Sequence, residues 1–360
     1  MTATIEPPAL NTGHVAAFSQ RLLEILNHGS LGLMISIGHR TGLFDAMSRM
    51  EPATALEIAE RAGLKERYVR GWLGAMTVGR VVDYDPDTGN FSLSPEHAAC
   101  LTRAAAPNNI AAFCQYVGLL GSVEDKVVEC FHQGGGVPYC AFCRFQAVMA
   151  EDSGQTVLPA ILDHILPLAP GMKERLASGI HVLDVGCGQG LALNLLAAEC
   201  PNSWFVGYDI SEEGIASANR KAREQGLKNL RFEVRDAAQM DEREVFDLIF
   251  TFDAVHDQAD PDTVLKNIAR ALKPDGVYIM QDIAGSSHVD KNMTHPMGPF
   301  LYTVSTMHCM TVSLANGGAG LGAMWGEELA LRMLKEAGFT SSRVERLSHD
   351  VQNAYFINRK

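Results

Sequence analysis

No run of apolar residues in this 360-residue chain approaches the roughly 20 needed to cross a bilayer. Met1 to Gly13 has neither the basic start nor the apolar core of a secretion signal. Both absences predict a cytoplasmic protein with no membrane partner. Basic residues are in deficit: 30 Lys and Arg against 42 Asp and Glu leave a formal charge of −12, which repels nucleic acid at long range. Cysteine is sparse, and eight in a chain of this size are too few for a disulfide framework, so thiols are expected. Cys140-Ala141-Phe142-Cys143 is a Cys-x-x-Cys and His308-Cys309 a further candidate pair, but the second correctly spaced pair that zinc needs is missing, so no metal is expected. What is present, 47% hydrophobic and 20% charged residues, suits a globular chain long enough for two domains with separate cores.

The most informative segment is His181-Val182-Leu183-Asp184-Val185-Gly186-Cys187-Gly188-Gln189-Gly190. Val182 to Val185 read as an apolar strand. The alternating glycines after it allow a sharp turn and close approach of a ligand to the backbone, and Leu191 to Cys200 reads as a helix. The dinucleotide fingerprint spaces its last two glycines three apart, whereas Gly186, Gly188 and Gly190 are spaced two and two, which fits a ligand without a pyrophosphate. A second strand, Trp204 to Tyr208, ends at Asp209, where a carboxylate can accept both hydroxyl protons of a ribose. Leu230 to Val234 is a third strand ending in Arg235-Asp236-Ala237, and Phe246 to Phe252 a fourth.

Asp-Val-Gly-Cys-Gly-Gln-Gly, Gly-Tyr-Asp-Ile-Ser, Arg-Asp-Ala-Ala and Phe-Asp-Leu-Ile-Phe-Thr-Phe-Asp-Ala-Val-His-Asp resemble successive motifs of the class I S-adenosylmethionine-dependent methyltransferases. The resemblance covers the chain from about residue 145 onward. It implies an α/β fold, a Rossmann-like seven-stranded methyltransferase sheet with S-adenosylmethionine across the carboxyl ends of its first strands. By that match Asp184, Gly186, Gly188 and Gly190 surround the methionine part of the cofactor, Asp209 takes the ribose, and Asp236 and Ala237 flank the adenine. Ile210 and Phe252, which lie in the matched motifs, complete the implied cofactor set.

The first hundred residues are organised differently. Leu31 to Arg40 reads as an apolar helix stopping near Gly42, and Thr54-Ala55-Leu56-Glu57 is a capping box that opens a second helix. That helix ends at Ala62-Gly63-Leu64, and a third runs from Lys65 to about Val78. Val81 to Tyr84 and Asn90 to Leu93 flank the turn-rich Asp85 to Gly89, so an α-helical winged helix-turn-helix domain is expected. Lys65, Arg67 and Arg70 offer phosphate contacts, but Val69, Trp72, Leu73 and Met76 stand at core spacing and the wing around Asp83, Asp85 and Asp87 is acidic, which disfavours DNA. This region resembles the winged-helix module that packs two subunits together in small-molecule O-methyltransferases, and the resemblance implies a homodimer.

Phe145-Gln146-Ala147-Val148-Met149-Ala150-Glu151-Asp152-Ser153 resembles the segment leading into the cofactor domain of those enzymes, with Gln146 in place of the usual Asn; the match sets Met149 and Ser153 at the cofactor. Asp253-Ala254-Val255-His256-Asp257-Gln258 resembles their His-Asp-Trp motif, with Gln258 in place of Trp, and implies that His256 is the general base. An imidazole takes a proton at neutral pH, and Asp257 or Asp253 is available to orient it. Between a fifth strand, Gly276 to Ile283, and a helix near Trp325-Gly326-Glu327, a segment at about 284–325 carries His288, His295, Met297, Phe300, Tyr302, Met307, His308, Cys309 and Met310 before the glycine-rich 317–322. It reads either as a mobile acceptor lid or as a packed helix with a glycine-rich loop.

The expected division is 1–135 as winged-helix domain and linker and 136–360 as cofactor domain. The whole chain, including Gly134 to Tyr139 and Met307 to Leu314, resembles a bacterial branch of winged-helix methyltransferases best known from actinobacterial sequences. The implied activity is methyl transfer to oxygen or sulfur of a small molecule; a soft, Met- and Cys-containing pocket suits a thiol or hydrosulfide. A cofactor-sensing transcription regulator using Lys65, Arg67 and Arg70, or a non-catalytic scaffold, are the readings from other classes.

Overall fold

The computed structural model describes residues 10–360, so most of the Met1 to Gly13 stretch lies outside the described residues. Its contacts divide the chain into one unit made of 1–105 and 109–118 and a second made of 106–108 and 119–360. The segment 119–135 groups with the second unit. No helix among the described residues is long and apolar enough to cross a membrane.

The first unit opens with α1, Thr12–Thr41, far longer than the apolar core at Leu31 to Arg40 indicated. Asn11 caps it and Gly42 ends it. Then come α2 (Leu43–Met47), α3 (Ala55–Ala62) and α4 (Glu66–Val78). The capping box forms as expected: the Glu57 amide donates to the Thr54 hydroxyl while the Thr54 amide donates to Glu57 at 2.8 Å. The wing is β1 (Asp83–Asp85) paired antiparallel with β2 (Asn90–Ser92), followed by α5 (Pro95–Leu101). Val69, Trp72, Leu73 and Met76 of α4 pack into one core with Leu43, Phe44, Met47 and Ile58.

Helices α6 (Gln115–Gly121), α7 (Glu124–Gln133), α8 (Phe145–Gln155), α9 (Val157–Ala160) and α10 (Met172–Ser178) lead to the sheet. The chain then alternates β3 (His181–Val185), α11 (Leu191–Glu199), β4 (Trp204–Asp209), α12 (Glu212–Glu224), β5 (Leu230–Val234), β6 (Phe246–Phe252), α13 (Pro261–Ala271) and β7 (Leu272–Ile283). After α14 (Gly298–Val304), α15 (Met310–Ala315) and α16 (Glu327–Glu336) it closes with β8 (Ser341–Glu345) and β9 (Asn353–Arg359). The seven-stranded order is β5-β4-β3-β6-β7-β9-β8, parallel from β5 to β7, with β9 antiparallel to both β7 and β8.

Alternation explains why these segments are strands. Val182, Leu248, Phe250, Val277, Ile279, Tyr355 and Ile357 feed the core on one face, beneath α11 and α12. Their neighbours Leu183, Ile249, Tyr278, Met280, Ala354 and Phe356 feed the core on the other, beneath α13 and α16. Both faces are buried, so the strands read as continuous apolar runs with a side-chain period of two. The strand order reverses between β3 and β6, and in such sheets ligands bind at the carboxyl ends of the strands beside that reversal.

Candidate active site

At the reversal lies an open cleft lined by Gln146, Met149, Ala150, Ser153, Val157 and Leu158 from α8 and α9, by Asp184 of β3, by Gly186, Cys187, Gly188 and Gln189 after it, by Leu191 and Ala192 of α11, and by Phe252 of β6. Its floor is the glycine turn. A Cβ at Gly186, whose φ is +77°, would stand 2.4 Å from the Ala254 side chain; one at Gly190, φ +66°, would meet the Phe232 ring at 2.4 Å. Gly188 has nothing nearer than Gln146 at 3.6 Å, so its bare backbone faces the cleft. Asp184 is 2% exposed, and its Oδ1 has no hydrogen-bond partner among the described residues. Burial first, and then the charge of Asp209, push its pKa up to about 8.

Six of the thirteen site residues expected from sequence, Met149, Ser153, Asp184, Gly186, Gly188 and Phe252, line this cleft together. Asp209 stands at the end of β4 and fastens the turn: its Oδ2 accepts from the Gly188 amide and its Oδ1 from the Ser211 amide, both at 2.8 Å. Burial raises its pKa against the opposing pull of those amides. Ile210 beside it is exposed. Asp236 caps a short 3-10 turn, accepting from the Ala238 amide at 2.9 Å and from Gln239 Nε2 at 3.1 Å, while Ala237 is buried and its carbonyl accepts from Asn267. Gly190, Asp209, Ile210, Asp236, Ala237, His256 and Asp257 do not line the cleft as it is formed.

His256 lies in the turn after β6, 3% exposed. The carboxylate that orients it is Asp282, from the end of β7, at 2.7 Å from His256 Nδ1, and not Asp257 or Asp253. Asp282 Oδ1 also accepts from Trp325 Nε1 at 3.0 Å and from the Ile283 amide at 2.8 Å. Three donors on one oxygen mark an ionised acceptor, so the imidazole carries its proton on Nδ1 and, when neutral, has an unprotonated Nε2, with Cys309 also interacting with the ring. Burial works against the imidazolium, but the charge of Asp282, followed by Cys309 and the Asp282 hydrogen bond, holds the His256 pKa well above its ordinary value. Asp257 is pushed up to about 6, by burial against the attraction of His256. Asp253, at a left-handed φ of 51°, accepts from Gln281 Nε2 at 2.8 Å, and burial followed by the charge of Asp282 raises its pKa. Donor atoms of Asp253, His256 and Asp282 lie within 4.8 Å of one another, and this is where the described residues would meet a cation; Cys140 and Cys143 are exposed thiols.

The segment 284–325 is a packed, interrupted helix. Between α14 and α15 the residues Ser305–Cys309 form a π-helical turn, and Ile283, Leu301, Cys309, Ala323 and Met324 share one apolar cluster. It is pinned to the His256 turn: the Gly322 amide donates to the His256 carbonyl at 3.1 Å, the Ala319 amide to the Ala259 carbonyl at 3.0 Å, and the Ser313 hydroxyl to the Gln258 carbonyl at 2.7 Å.

Comparison with known proteins agrees with this architecture. A family model described as an Rv2258c-like winged HTH domain matches residues 29–103, and one described as a methyltransferase domain matches 176–338. The ubiquinone biosynthesis O-methyltransferase of Maricaulis maris is 32% identical over 115 residues, 32% of this chain and 44% of that protein. The chain thus spans less than half the length of the curated relatives it matches. The mitomycin 7-O-methyltransferase MmcR, 16% identical, has a similar fold at a TM-score of 0.68 over 97% of this chain and all of that one. Human N-acetylserotonin methyltransferase, solved with S-adenosylmethionine, matches at 0.67 and 16% identity over 95% and 97%. The chain therefore carries an Rv2258c-like winged helix-turn-helix domain followed by a methyltransferase domain.

Proposed function

We propose that the protein is an S-adenosylmethionine-dependent methyltransferase acting on an oxygen or sulfur nucleophile of a small molecule. The observation that carries this reading is the glycine-floored cleft at the strand reversal, with the unpartnered Asp184 oxygen inside it and the Asp282-oriented His256 in the turn after β6. The residues fit the cofactor. Asp184 offers a buried carboxylate to the methionine ammonium, the bare Gly188 backbone leaves room beside it, Asp209 keeps lone pairs for the ribose hydroxyls, and Asp236 and Ala237 would flank the adenine. When bound, S-adenosylmethionine supplies an electrophilic methyl group on a positively charged sulfur.

His256 then acts on the acceptor. Neutral, with its Nδ1 proton directed at Asp282, it would take the proton of an acceptor hydroxyl at Nε2, and Asp282 would steady the imidazolium that results. With a thiol already ionised, the same imidazolium positions the anion. Trp325 and the Ile283 amide hold Asp282 in place. The exposed apolar side chains of α1, among them Phe18, Leu22, Leu23 and Leu26, support the homodimer.

The test is S-adenosylhomocysteine release from purified protein with S-adenosylmethionine, across parallel panels of phenols, carboxylates, alkyl thiols and sulfide. Turnover with hydroxyl acceptors is expected for base-assisted O-methylation, and turnover confined to thiols assigns S-methylation. No release with any panel overturns the enzymatic reading.

A further inference from the structure

Two carboxylate oxygens beside the base have nothing to bond. Asp253 Oδ1 and Asp282 Oδ2 are both closed to solvent, and neither has a hydrogen-bond partner among the described residues. Donor atoms of these two residues and of His256 lie within 4.8 Å of one another, so the two acids are neighbours. Ionised carboxylates this close repel, and a buried acceptor without a donor forfeits the bonds it made to water. The methyl-transfer chemistry employs Asp282 and leaves Asp253 without a task.

The two acids are unequally supplied. Asp282 Oδ1 accepts from His256 Nδ1, Trp325 Nε1 and the Ile283 amide, which suits an anion, whereas Asp253 accepts at Oδ2 from Gln281 Nε2 alone. The other titratable groups around Asp253 are Asp152 of α8, Asp350 ahead of β9 and Tyr355 of β9. Asp257, His308 and Cys309 act on His256. Asp350 is well served, by the Asn353 amide at 3.1 Å and the Tyr355 hydroxyl at 2.6 Å. His256 is the one positive member of the set acting on Asp253, against Asp282, Asp152 and Asp350. Burial first, and then the charge of Asp282, favour the acid form of Asp253. The backbone leaves its ordinary range to put Asp253 there: φ is 51°, in the left-handed region, while the Asp253 amide still donates to the Gln281 carbonyl at 3.1 Å. Non-glycine residues held in that region gather at active sites.

We propose that Asp253 stands beside Asp282 as an un-ionised carboxylic acid, its proton on Oδ1 directed at Asp282 Oδ2, and acts as a positioning residue that leaves His256 facing one negative charge. A single proton answers both orphaned oxygens: one becomes a donor and the other receives it. The purpose of the arrangement rests on the methyl-transfer reading above. A second anion at this range would hold His256 as imidazolium over about 1–3 further pH units, and an imidazolium has no lone pair for an acceptor's proton. With Asp253 protonated, the neutral base is reached at lower pH.

The experiment has two arms, neither of which needs turnover. Infrared difference spectra at pH 7 between the native chain and Asp253→Asn, with the aspartate carboxyl carbons isotopically labelled, should show a carboxylic acid C=O band, shifted in D2O, that the variant lacks. Nitrogen NMR should follow the titration of His256, its signals assigned by their loss in His256→Gln. The Asn amide, neutral and a donor like the acid, should move the His256 midpoint by less than about half a unit; loss of an ionised Asp253 would lower it by about 1–3 units. Absence of the band difference, or a fall of a unit or more, overturns the proposal. Thermal melting checks each variant, and Asp253→Ser, also neutral, serves the same comparison if Asp253→Asn does not fold. Calorimetric binding of magnesium or manganese that Asp253→Asn abolishes would give the two oxygens a cation in place of the proton and likewise overturns it. Failure to release S-adenosylhomocysteine with any acceptor is a different result, which removes the methyl-transfer reading and leaves the protonation of Asp253 standing or falling on the two spectra.

Discussion

His256 takes its role from groups distant in sequence: Asp282, 26 residues on, and Trp325, 43 residues beyond that. Only the neutral ring accepts a proton, and that form is populated above a pKa held well over 6.5. Turnover of a hydroxyl acceptor is therefore expected to rise with pH into the alkaline range. His256→Gln should lower kcat by roughly 10²–10⁴-fold with cofactor affinity retained. Asp282→Asn should cut kcat and move the rise to lower pH, since the carboxylate that holds the proton is gone. A pH–rate profile of both variants checks this, and unchanged turnover in His256→Gln refutes the base. Asp184 gives a second residue-level expectation. With its pKa at about 8 it carries a proton at pH 7 in cofactor-free protein, and an ammonium seated against it displaces that proton. Binding of S-adenosylhomocysteine should release a proton and tighten as pH rises toward about 8, then level off. Asp184→Asn should bind about tenfold more weakly and show no such pH dependence; calorimetry in two buffers of different ionisation enthalpy counts the proton.

Among elements, β6 is held to its surroundings by Asp247. The Asp247 carboxylate is 7% exposed and accepts from Arg175 of α10 at 2.9 Å, from Lys273 of β7 at 2.8 Å and from the His181 amide of β3 at 3.0 Å. Burial opposes its charge, but Lys273, the His181 amide and Arg175 prevail and lower its pKa. A lowered carboxylate pKa contributes stability that is present above the ordinary 3.8 and lost as pH falls through the folded value. Asp247→Asn should cost about 1–3 kcal/mol at pH 7, and the difference from the native chain should shrink as pH falls below the ordinary 3.8, as denaturant melts across that range will show. The strands were legible in sequence because each is an apolar run with period two, and the glycine turn because left-handed dihedrals favour glycine and Gly186 and Gly190 leave no room for a Cβ. Asp282 was hidden: an acid at the end of an apolar strand bears no local mark of the histidine it will meet. The first 19 residues of α1 were hidden for another reason, since their apolar side chains stay exposed and so trace no buried stripe. Nor does Ser305–Cys309 announce its π winding in its residues.

For the molecule as a whole, the outstanding surface feature is α1. Val15, Phe18, Leu22, Leu23, Ile25 and Leu26 are between 47% and 66% exposed, a run of apolar surface on one helix that a single copy leaves in water. In the homodimer reading a second copy covers it. The native chain should sediment as a dimer and Leu22→Glu combined with Leu26→Glu as a folded monomer; a monomeric native chain refutes the dimer. The reversal of strand order between β3 and β6 has a reach beyond this one protein. It makes the nucleotide crevice a property of chain topology, while the helical segment that follows β7 is a later, separately encoded stretch. On the methyl-transfer reading, substitutions in that later stretch change the acceptor side without touching the methyl donor's berth, so the same scaffold can serve different products with one chemistry.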